Sequence, residues 1–429
     1  MIAAQAFAGK HYAVYGLARS GLATVEALLA SGAKVTAWDA KEEARAKAPP
    51  GSEIANLDEA DLTQFDSIVV TPGLPLNRHP IAQRARDSGV EIIGDIELFA
   101  RARPELPPHK VVGITGTNGK STTTALVHHI LQTAGVPTTM GGNIGLPILA
   151  QDPLPKGGVY VLELSSYQID LTQSLDCDVA VLLNITPDHL DRYESFEAYV
   201  ESKARLFEMQ SPAHKRVINP EDSQARETKR RFDYRTSIDD LSSWTIPADS
   251  WFNKWPALPG WHNVQNICAA IATTRLLGID DEPIAAALES FPGLPHRMER
   301  IREKDGVVFV NDSKATNPTA TAPALAAFER IRWICGGQPK SDNLDECVPY
   351  FGHVRKDYTI GEAGELFASL LSPHMDVAEC QTLERAVGEA AAEAEGGDTV
   401  LLSPACASFD QFRDFEDRGD QFRHLVEGL

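Results

Sequence analysis

The sequence predicts an α/β protein of three domains, each built on a mainly parallel sheet. Three observations predict it. A strand, a glycine-bearing turn and a helix follow one another from His11 and again from Val111, and a third series of strand-like runs alternating with helical stretches begins at Val307. Two proline-rich stretches, Arg101–His109 (RARPELPPH) and residues 290–300 (SFPGLPHRMER), read as the linkers between them. The length, 429 residues, suits about three domains at roughly 150 residues each.

In the first domain, His11–Tyr15 reads as a strand, GLARSG as a turn, and Leu22, Val25, Leu28 and Leu29 as the buried stripe of a helix. Lys34–Trp38, ending at Asp39, completes a β-α-β unit. The turn offers Gly16, Ala18 and Gly21 where a dinucleotide fingerprint wants three glycines, and the Ala18 methyl falls where backbone must approach a pyrophosphate. Another nucleotide-like anion therefore fits better, met by Arg19, Ser20 and Lys41 near the carboxyl ends of the strands. For Arg19 and Lys41 a solvated surface charge remains an equal alternative. A further strand, Ser67–Val70, runs into Thr71, Pro72 and Gly73.

The stretch Val111–Thr124, VVGITGTNGKSTTT, describes a phosphate cradle. A buried strand leads into Gly116 and Gly119, and a helix carrying Ala125, Leu126, Ile130 and Leu131 follows. Backbone N–H groups and the helix start favour an anion, Lys120 can reach the outer phosphates, and the Ser121 hydroxyl can ligate magnesium. Ile114 stands where the strict nucleotide-loop consensus has glycine, so what remains is the shorter pattern G-x-x-G-K-S. Beyond the turn GGNIG around Asn143, the strand Val159–Leu164 delivers Glu163 within LELSSYQ, and Val179–Leu183 empties into NITPDHLDRY. A carboxylate in so apolar a strand needs a cation, and magnesium held on phosphates takes one or two carboxylates plus a loop hydroxyl. His189 is either a ligand or a capping or core histidine, while Asp188 and Asp191 also suit a helix start.

The helix Ser195–Glu208 carries Phe196, Tyr199, Val200, Leu206 and Phe207 on one stripe, with Lys203 in the gap of that stripe. Lys203 either snorkels at the edge or is buried. Buried, its pKa falls and its neutral amine becomes open to chemistry, including with carbon dioxide. Residues Ser211–Trp255 read as polar and irregular. LPGWHNVQN then opens a helix, Ile267–Leu277, with His262, Asn263 and Asn266 at its start, where asparagine commonly caps. In the third domain, Val307–Asn311, Arg332–Cys335, Asp357–Ile360 and Thr399–Leu402 read as strands of a small parallel sheet. Their exit loops carry Asp312, Lys314, Thr316 and Asn317, then GGQPK with Lys340, and lastly SPACASFDQF with Ser408.

Composition narrows the function. A formal charge of −20 argues against a nucleic-acid binder, and the six cysteines include no C-x-x-C pair, so neither a zinc site nor a disulfide framework is expected. The start, MIAAQAFAGKHY, does not read as a signal peptide, and no stretch of about 18 apolar residues occurs. The expectation is a cytoplasmic, monomeric enzyme of small molecules, without membrane insertion.

TGTNGKST, GGNIG, LELSSYQ, NITPDHLDRY, ESKARLFE, PGWHNVQN, PHR and NDSKATN occur in the order and at the separations of the bacterial Mur ligases, and the likeness covers essentially the whole chain. The start of the chain and the tail LLSPACASFDQFRDFEDRGDQF resemble the branch that adds D-glutamate to UDP-N-acetylmuramoyl-L-alanine. The resemblance implies a Rossmann-like UDP-substrate domain (1–106), a central P-loop ATPase-like domain (107–297) and a C-terminal Rossmann-like amino-acid domain (298–429). It also implies an acyl-phosphate ligase using ATP and Mg2+. By the same resemblance Gly116, Thr117, Asn118, Gly119, Lys120, Ser121 and Thr122 hold the ATP phosphates, and Asn266, Arg297 and Asp312 contact the nucleotide. Ser121 and Glu163 hold one magnesium, and His189 with a carbamylated Lys203 a second. Lys120, His189, Lys203 and Lys314 form the catalytic set. Lys314, Thr316, Lys340, Ser408 and Phe415 receive D-glutamate, and Ser20, Lys41, Gly73, Asn143 and Ser165 the UDP substrate. The family often has Thr-Arg after Asp39, where this chain has Ala40 and Lys41; a bidentate contact becomes a point charge, with Arg19 the candidate to take its place. An L-glutamate-adding relative, a folylpolyglutamate synthase-like ligase and a nucleotide-gated binding protein are the competing readings. A folate ligase would lack the UDP-binding β-α-β unit, and simple binding does not require Glu163, His189 and Lys203 together.

Overall fold

The computed structural model describes residues 1–188, 192–219, 222–232, 238–240, 255, 257–258 and 260–429. The first sheet joins β1 (His11–Tyr15), β2 (Lys34–Trp38), β3 (Glu53–Ile54), β4 (Ser67–Val70) and β5 (Ile92–Ile93) in the order β3-β2-β1-β4-β5, every pair parallel. Tyr12 through Tyr15 are all buried, as expected of a central strand covered on both faces. Helices α1 (Arg19–Ala30), α2 (Glu42–Arg45), α3 (Pro80–Ser88) and α4 (Asp95–Ala102) connect the strands. α3 has local start and stop signals: the His79 ring accepts from Ile81 N at 3.2 Å, Pro80 opens the first turn, and Gly89 closes it with φ 68°. The chain leaves β1 toward β2 on one side and later returns to β4 on the other. In open sheets ligands bind beyond the strand ends at such a reversal.

The second sheet joins β6 (His109–Thr115), β7 (Thr138–Gly142), β8 (Gly158–Glu163), β9 (Val179–Leu182), β10 (Lys215–Ile218) and β11 (Ile238–Asp240) in the order β11-β10-β9-β6-β8-β7, again all parallel. Helices α5 (Lys120–Thr133), α6 (Ser166–Asp170), α7 (Phe196–Glu208) and α8 (Ser223–Phe232) follow its strands, with Trp261–Leu276 and Asp281–Ser290 later in the chain.

Two expectations are corrected here. The stretch expected to be irregular contributes β10, α8 and β11. β10 was hidden by its opening Lys215 and Arg216, yet Arg216 is buried, with its Nε on Gln210 Oε1 at 2.9 Å and Nη2 on the Phe207 carbonyl at 3.2 Å. Arg101 and Ala102 belong to α4 rather than to a linker, and Arg101 is paired with Glu91 and Glu97 at 2.6 and 2.9 Å. Leu98 and Phe99 of α4 join an apolar core shared with Tyr160 and Leu164 of the second domain, so these prolines follow a packed helix and leave only a short connection before β6.

The first two sheets lie in one compact unit and the third in another. The third joins β12 (Glu299–Lys304), β13 (Val307–Asn311), β14 (Ile331–Gly336), β15 (Val354–Ile360), β16 (Asp376–Gln381) and β17 (Thr399–Leu402) in the order β12-β13-β17-β14-β15-β16. The expected all-parallel sheet is mixed, because β12 runs antiparallel to β13. β12 and β16 escaped the sequence reading because edge strands bury little and read as polar, ERIREK and DVAECQ. Among the described residues no helix is long and apolar enough to cross a membrane.

Candidate active site

The phosphate loop joins β6 to α5 at the carboxyl edge of the second sheet. Gly119 stands at φ 83°, and a Cβ there would lie 2.2 Å from Asn266 Oδ1, so both backbone conformation and a close neighbour demand glycine. Asn266 is therefore no helix cap. It lies in the second turn of Trp261–Leu276, presses on the loop and accepts from Thr123 Oγ1 at 3.3 Å.

The exit of β9 fixes the loop. Thr117 N donates to Asn184 O at 2.9 Å, Asn118 N to Asn184 Oδ1 at 2.8 Å, and Thr186 N to Thr117 Oγ1 at 3.0 Å. Lys120 Nζ donates to the carbonyls of Gly116 and Thr117 at 2.9 and 2.7 Å. Lys203 Nζ donates to the same Gly116 carbonyl at 2.9 Å.

Lys203 is 1% exposed, so burial, not snorkelling, is the outcome of its place in the stripe. Its amine lies 4.6 Å from the centre of the Tyr199 ring. Burial first, and the charge of Lys120 second, hold its pKa well below the usual lysine value, against the pull of Asp188 and Asp170.

Glu163 ends β8 opposite Ile114, which places it beside the start of the loop. It is buried, Oε1 accepts from Asn143 Nδ2 at 2.8 Å, and Oε2 has no hydrogen-bond partner among the described residues. A carboxylate oxygen out of water and without a donor is costly unless a cation meets it, so the residue fits a metal ligand. Among the described residues no three His, Cys, Asp or Glu side chains form a metal cluster, so a cation here would draw on hydroxyls and phosphates as well. His189 and Asp191 lie outside the described residues.

In the first domain Ser20 sits in the first turn of α1, and Gly73 follows β4. Lys41 N donates to Asp39 Oδ1 at 2.9 Å and its side chain is exposed. Arg19 is not drawn to that loop: its Nη2 donates to Gly145 O at 3.1 Å. The guanidinium found on the Asp39 and Ala40 carbonyls is that of Arg45, at 2.7 and 3.0 Å and stacked 4.5 Å from the Trp38 ring centre. Ser165 forms a capping box with Gln168 at the start of α6.

In the third domain the strand exits bring several expected residues together. Lys340 Nζ donates to Thr316 Oγ1 at 3.2 Å, and Lys314 Nζ lies 3.6 Å from the centre of the Phe415 ring. Ser408 is buried in a loop whose Ala407 pairs with Gln338 of GGQPK. Asp312 accepts from Met298 N at 3.1 Å and Ser403 Oγ at 2.8 Å, and burial pushes its pKa up to about 7. Arg297 helps to hold that value down.

Sequence reasoning missed Asn184, Thr186 and Tyr199 as supports of the phosphate loop; the Tyr199 hydroxyl lies 3.2 Å from Thr117 Oγ1. It also missed Arg418. That fully buried guanidinium ties Ser313 Oγ and O at 3.0 and 2.9 Å to the Cys406 and Ala407 carbonyls at 3.1 and 3.3 Å, joining two of the exit loops. Nothing in the charged run RDFEDRGDQF singles it out.

A phosphate loop backed by a buried carboxylate and a buried lysine, on the middle one of three α/β domains, defines an enzyme that handles a nucleotide triphosphate. Known proteins narrow the class. Profiles of the MurD-like N-terminal domain, the Mur ligase middle domain and the Mur ligase glutamate ligase domain match residues 10–94, 114–274 and 296–406. The UDP-N-acetylmuramoylalanine–D-glutamate ligases of Novosphingobium aromaticivorans and Sphingopyxis alaskensis are 60% and 58% identical over all of this chain, covering 97% and 100% of their own lengths. That of Zymomonas mobilis is 54% identical, with both chains covered in full. Among solved structures, UDP-N-acetylmuramate-alanine ligase of Thermotoga maritima has the same fold at a TM-score of 0.61 and 18% identity, covering 98% of this chain and 99% of its own. MurF of Acinetobacter baumannii gives 0.59 at 17%, covering 98% and 91%. The chain belongs to the Mur ligase family and is an ATP-dependent ligase.

Proposed function

We propose that this ligase joins D-glutamate to UDP-N-acetylmuramoyl-L-alanine in the cytoplasm, for peptidoglycan precursor synthesis. The substrate carboxylate attacks the γ-phosphorus of ATP and ADP leaves; the glutamate amine then attacks the acyl carbon, phosphate leaves, and the amine loses a proton. The observation that carries the reading is the phosphate loop with Lys120 on the Gly116 carbonyl and the buried Glu163 carboxylate beside the same loop, since bringing two anions together requires a lysine and a metal ion on fixed supports. The identity to D-glutamate-adding relatives over the whole chain supports the choice of substrates.

In this reading the domains divide at 1–106, 107–297 and 298–429. Gly116 to Thr122 cradle the phosphates, and Lys120 turns from the loop carbonyls to the outer phosphates. Asn266, Arg297 and Asp312 meet the nucleotide. Ser121 and Glu163 would hold one Mg2+, and His189 with Lys203 another; the metal, when bound, supplies charge neutralisation between the phosphate and the carboxylate. The neutral amine of Lys203 adds carbon dioxide and releases a proton, which gives a buried anion where the apolar stripe leaves no carboxylate. Ser20, Lys41, Gly73, Asn143 and Ser165 serve the UDP substrate, and Lys314, Thr316, Lys340, Ser408 and Phe415 the two carboxylates of D-glutamate.

The test is phosphate release from ATP with UDP-N-acetylmuramoyl-L-alanine and D-glutamate, L-glutamate or no amino acid. Release that depends on D-glutamate is expected. Equal release with L-glutamate would move the chain to another amide ligase of the family.

A further inference from the structure

Arg192, the last residue but one of NITPDHLDRY, has no role in the reading above. Its guanidinium donates to three successive carbonyls of the turn after β4: Leu74 O at 2.8 Å, and Pro72 O and Gly73 O at 3.4 Å each. It also lies 4.3 Å from the centre of the Tyr167 ring. Tyr167 stacks on Tyr193 at 6.0 Å, and the Tyr193 hydroxyl is bonded to Asp170 and to Ser202, the neighbour of Lys203. One side chain thus ties a turn of the first domain to the framework around the buried lysine.

The peptides of the turn are trans, so each N–H points opposite to the carbonyl of its own plane. Leu74 N–H closes the turn on Thr71 O at 3.0 Å. Gly73 N–H makes no hydrogen bond within the described residues. Because Arg192 draws the Pro72 carbonyl, which shares a plane with that N–H, the donor is turned to the opposite side. A Cβ built on Gly73 meets nothing within 4 Å, so the space there is open. The turn stands at the carboxyl end of β4, beside the reversal of strand order, where an unspent donor suits a ligand oxygen.

We infer that Arg192 is a positioning residue for the UDP substrate: it grips the carbonyl side of the Pro72–Leu74 turn so that Gly73 N–H is presented to a substrate oxygen. The inference rests on the functional reading above. A planar fork with several donors can hold three acceptors at once, whereas the point charge of lysine cannot hold them in one plane.

Steady-state kinetics on the full chain, varying UDP-N-acetylmuramoyl-L-alanine, ATP and D-glutamate in turn, separate the two claims. Wild-type turnover tests the function, and the ratio of variant to wild type tests Arg192. Arg192→Ala is expected to raise KM for the UDP substrate about tenfold while KM for ATP and for D-glutamate stays within about twofold, and added guanidinium is expected to recover part of the loss. Arg192→Lys, which keeps the charge and an apolar stem, is expected to fall between, and it decides the matter alone if the alanine variant does not fold. An unchanged KM for the UDP substrate overturns the inference. So does a similar rise for all three substrates without guanidinium rescue, which marks general loosening of the turn.

Discussion

The turn after β1 and the turn after β6 are built alike, strand into glycines into helix, and they do different things. In the first, glycine is used for packing: a Cβ on Gly21 would lie 1.8 Å from the Gly16 carbonyl oxygen, and one on Gly16 would lie 2.3 Å from Thr71 Oγ1. In the second, Gly119 makes room for Asn266, and the helix opens with Lys120 and Ser121. The carboxyl groups near them differ as well. Asp95 lines a small cavity with Ser20, Gly21 and Thr71 and accepts from its neighbour Ile96 N at 3.0 Å, whereas Glu163 keeps a buried oxygen without a donor among the described residues. In the function proposed above, one backbone plan serves two anions, and the side chains on the helix start and the adjacent strand decide between phosphoryl transfer and binding alone.

The largest effect that would break this contrast is expected from Lys120→Ala. ATP-dependent turnover should fall by about 1000-fold or more, the scale of removing a principal transition-state contact, while calorimetric affinity for the UDP substrate stays within about twofold. Loss of both ligands from a folded variant would mean that the two turns are not independent.

Lys203→Ala comes next, with a fall of about 100-fold or more and partial recovery in formate or acetate, which can fill the space with a mobile carboxylate. Full activity of the variant would remove Lys203 from the second turn's chemistry, and mass analysis of native protein checks the carbamate directly.

Gly21→Ala tests the packing role of the first turn. The added methyl collides with backbone that cannot move aside, so denaturant unfolding should show a loss of about 3 kcal/mol. A loss within about 0.5 kcal/mol would show that the first turn has slack.

The smallest expected effect is a dependence on pH. Burial raises the Asp95 pKa from 3.8 to about 6. Below the lower value both folded and unfolded chains hold the proton. Between the two values only the folded chain keeps it, so this group's contribution to stability declines as pH rises and is flat above about 6. Asp95→Asn should therefore gain on wild type, by on the order of 2 kcal/mol, between about pH 4 and 6, and hold that gain at higher pH. Urea midpoints for the two proteins across pH 4–8 check it, and parallel curves would place the Asp95 carboxyl in water.

Much of the site was legible in the sequence because its signals are local. Apolar runs gave the central strands, the glycines and Lys-Ser gave the loop, and the order of the motifs gave the family. The periodicity of α7 even marked Lys203 as odd, since a lysine in a core-facing stripe stands out over one helix length. Its neighbours could not be read the same way. Gly116 and Lys203 are 87 positions apart, and nothing in either segment states that they share a hydrogen bond.

What the sequence by itself determined was the central parallel strands of the three sheets, the phosphate loop, the buried carboxylate and the anomalous lysine, because strand and helix periods and turn residues act over a few positions. What only the tertiary structure decided was which groups face one another. It settled Lys203 on burial, put Asn266 against Gly119, set Asn143 on Glu163 and Arg45 on Trp38, and buried Arg216 and Arg418 among carbonyls and hydroxyls. A charged side chain looks the same in a sequence whether it is solvated or satisfied inside. The partners that permit its burial arrive from distant strands, and only packing brings them within reach.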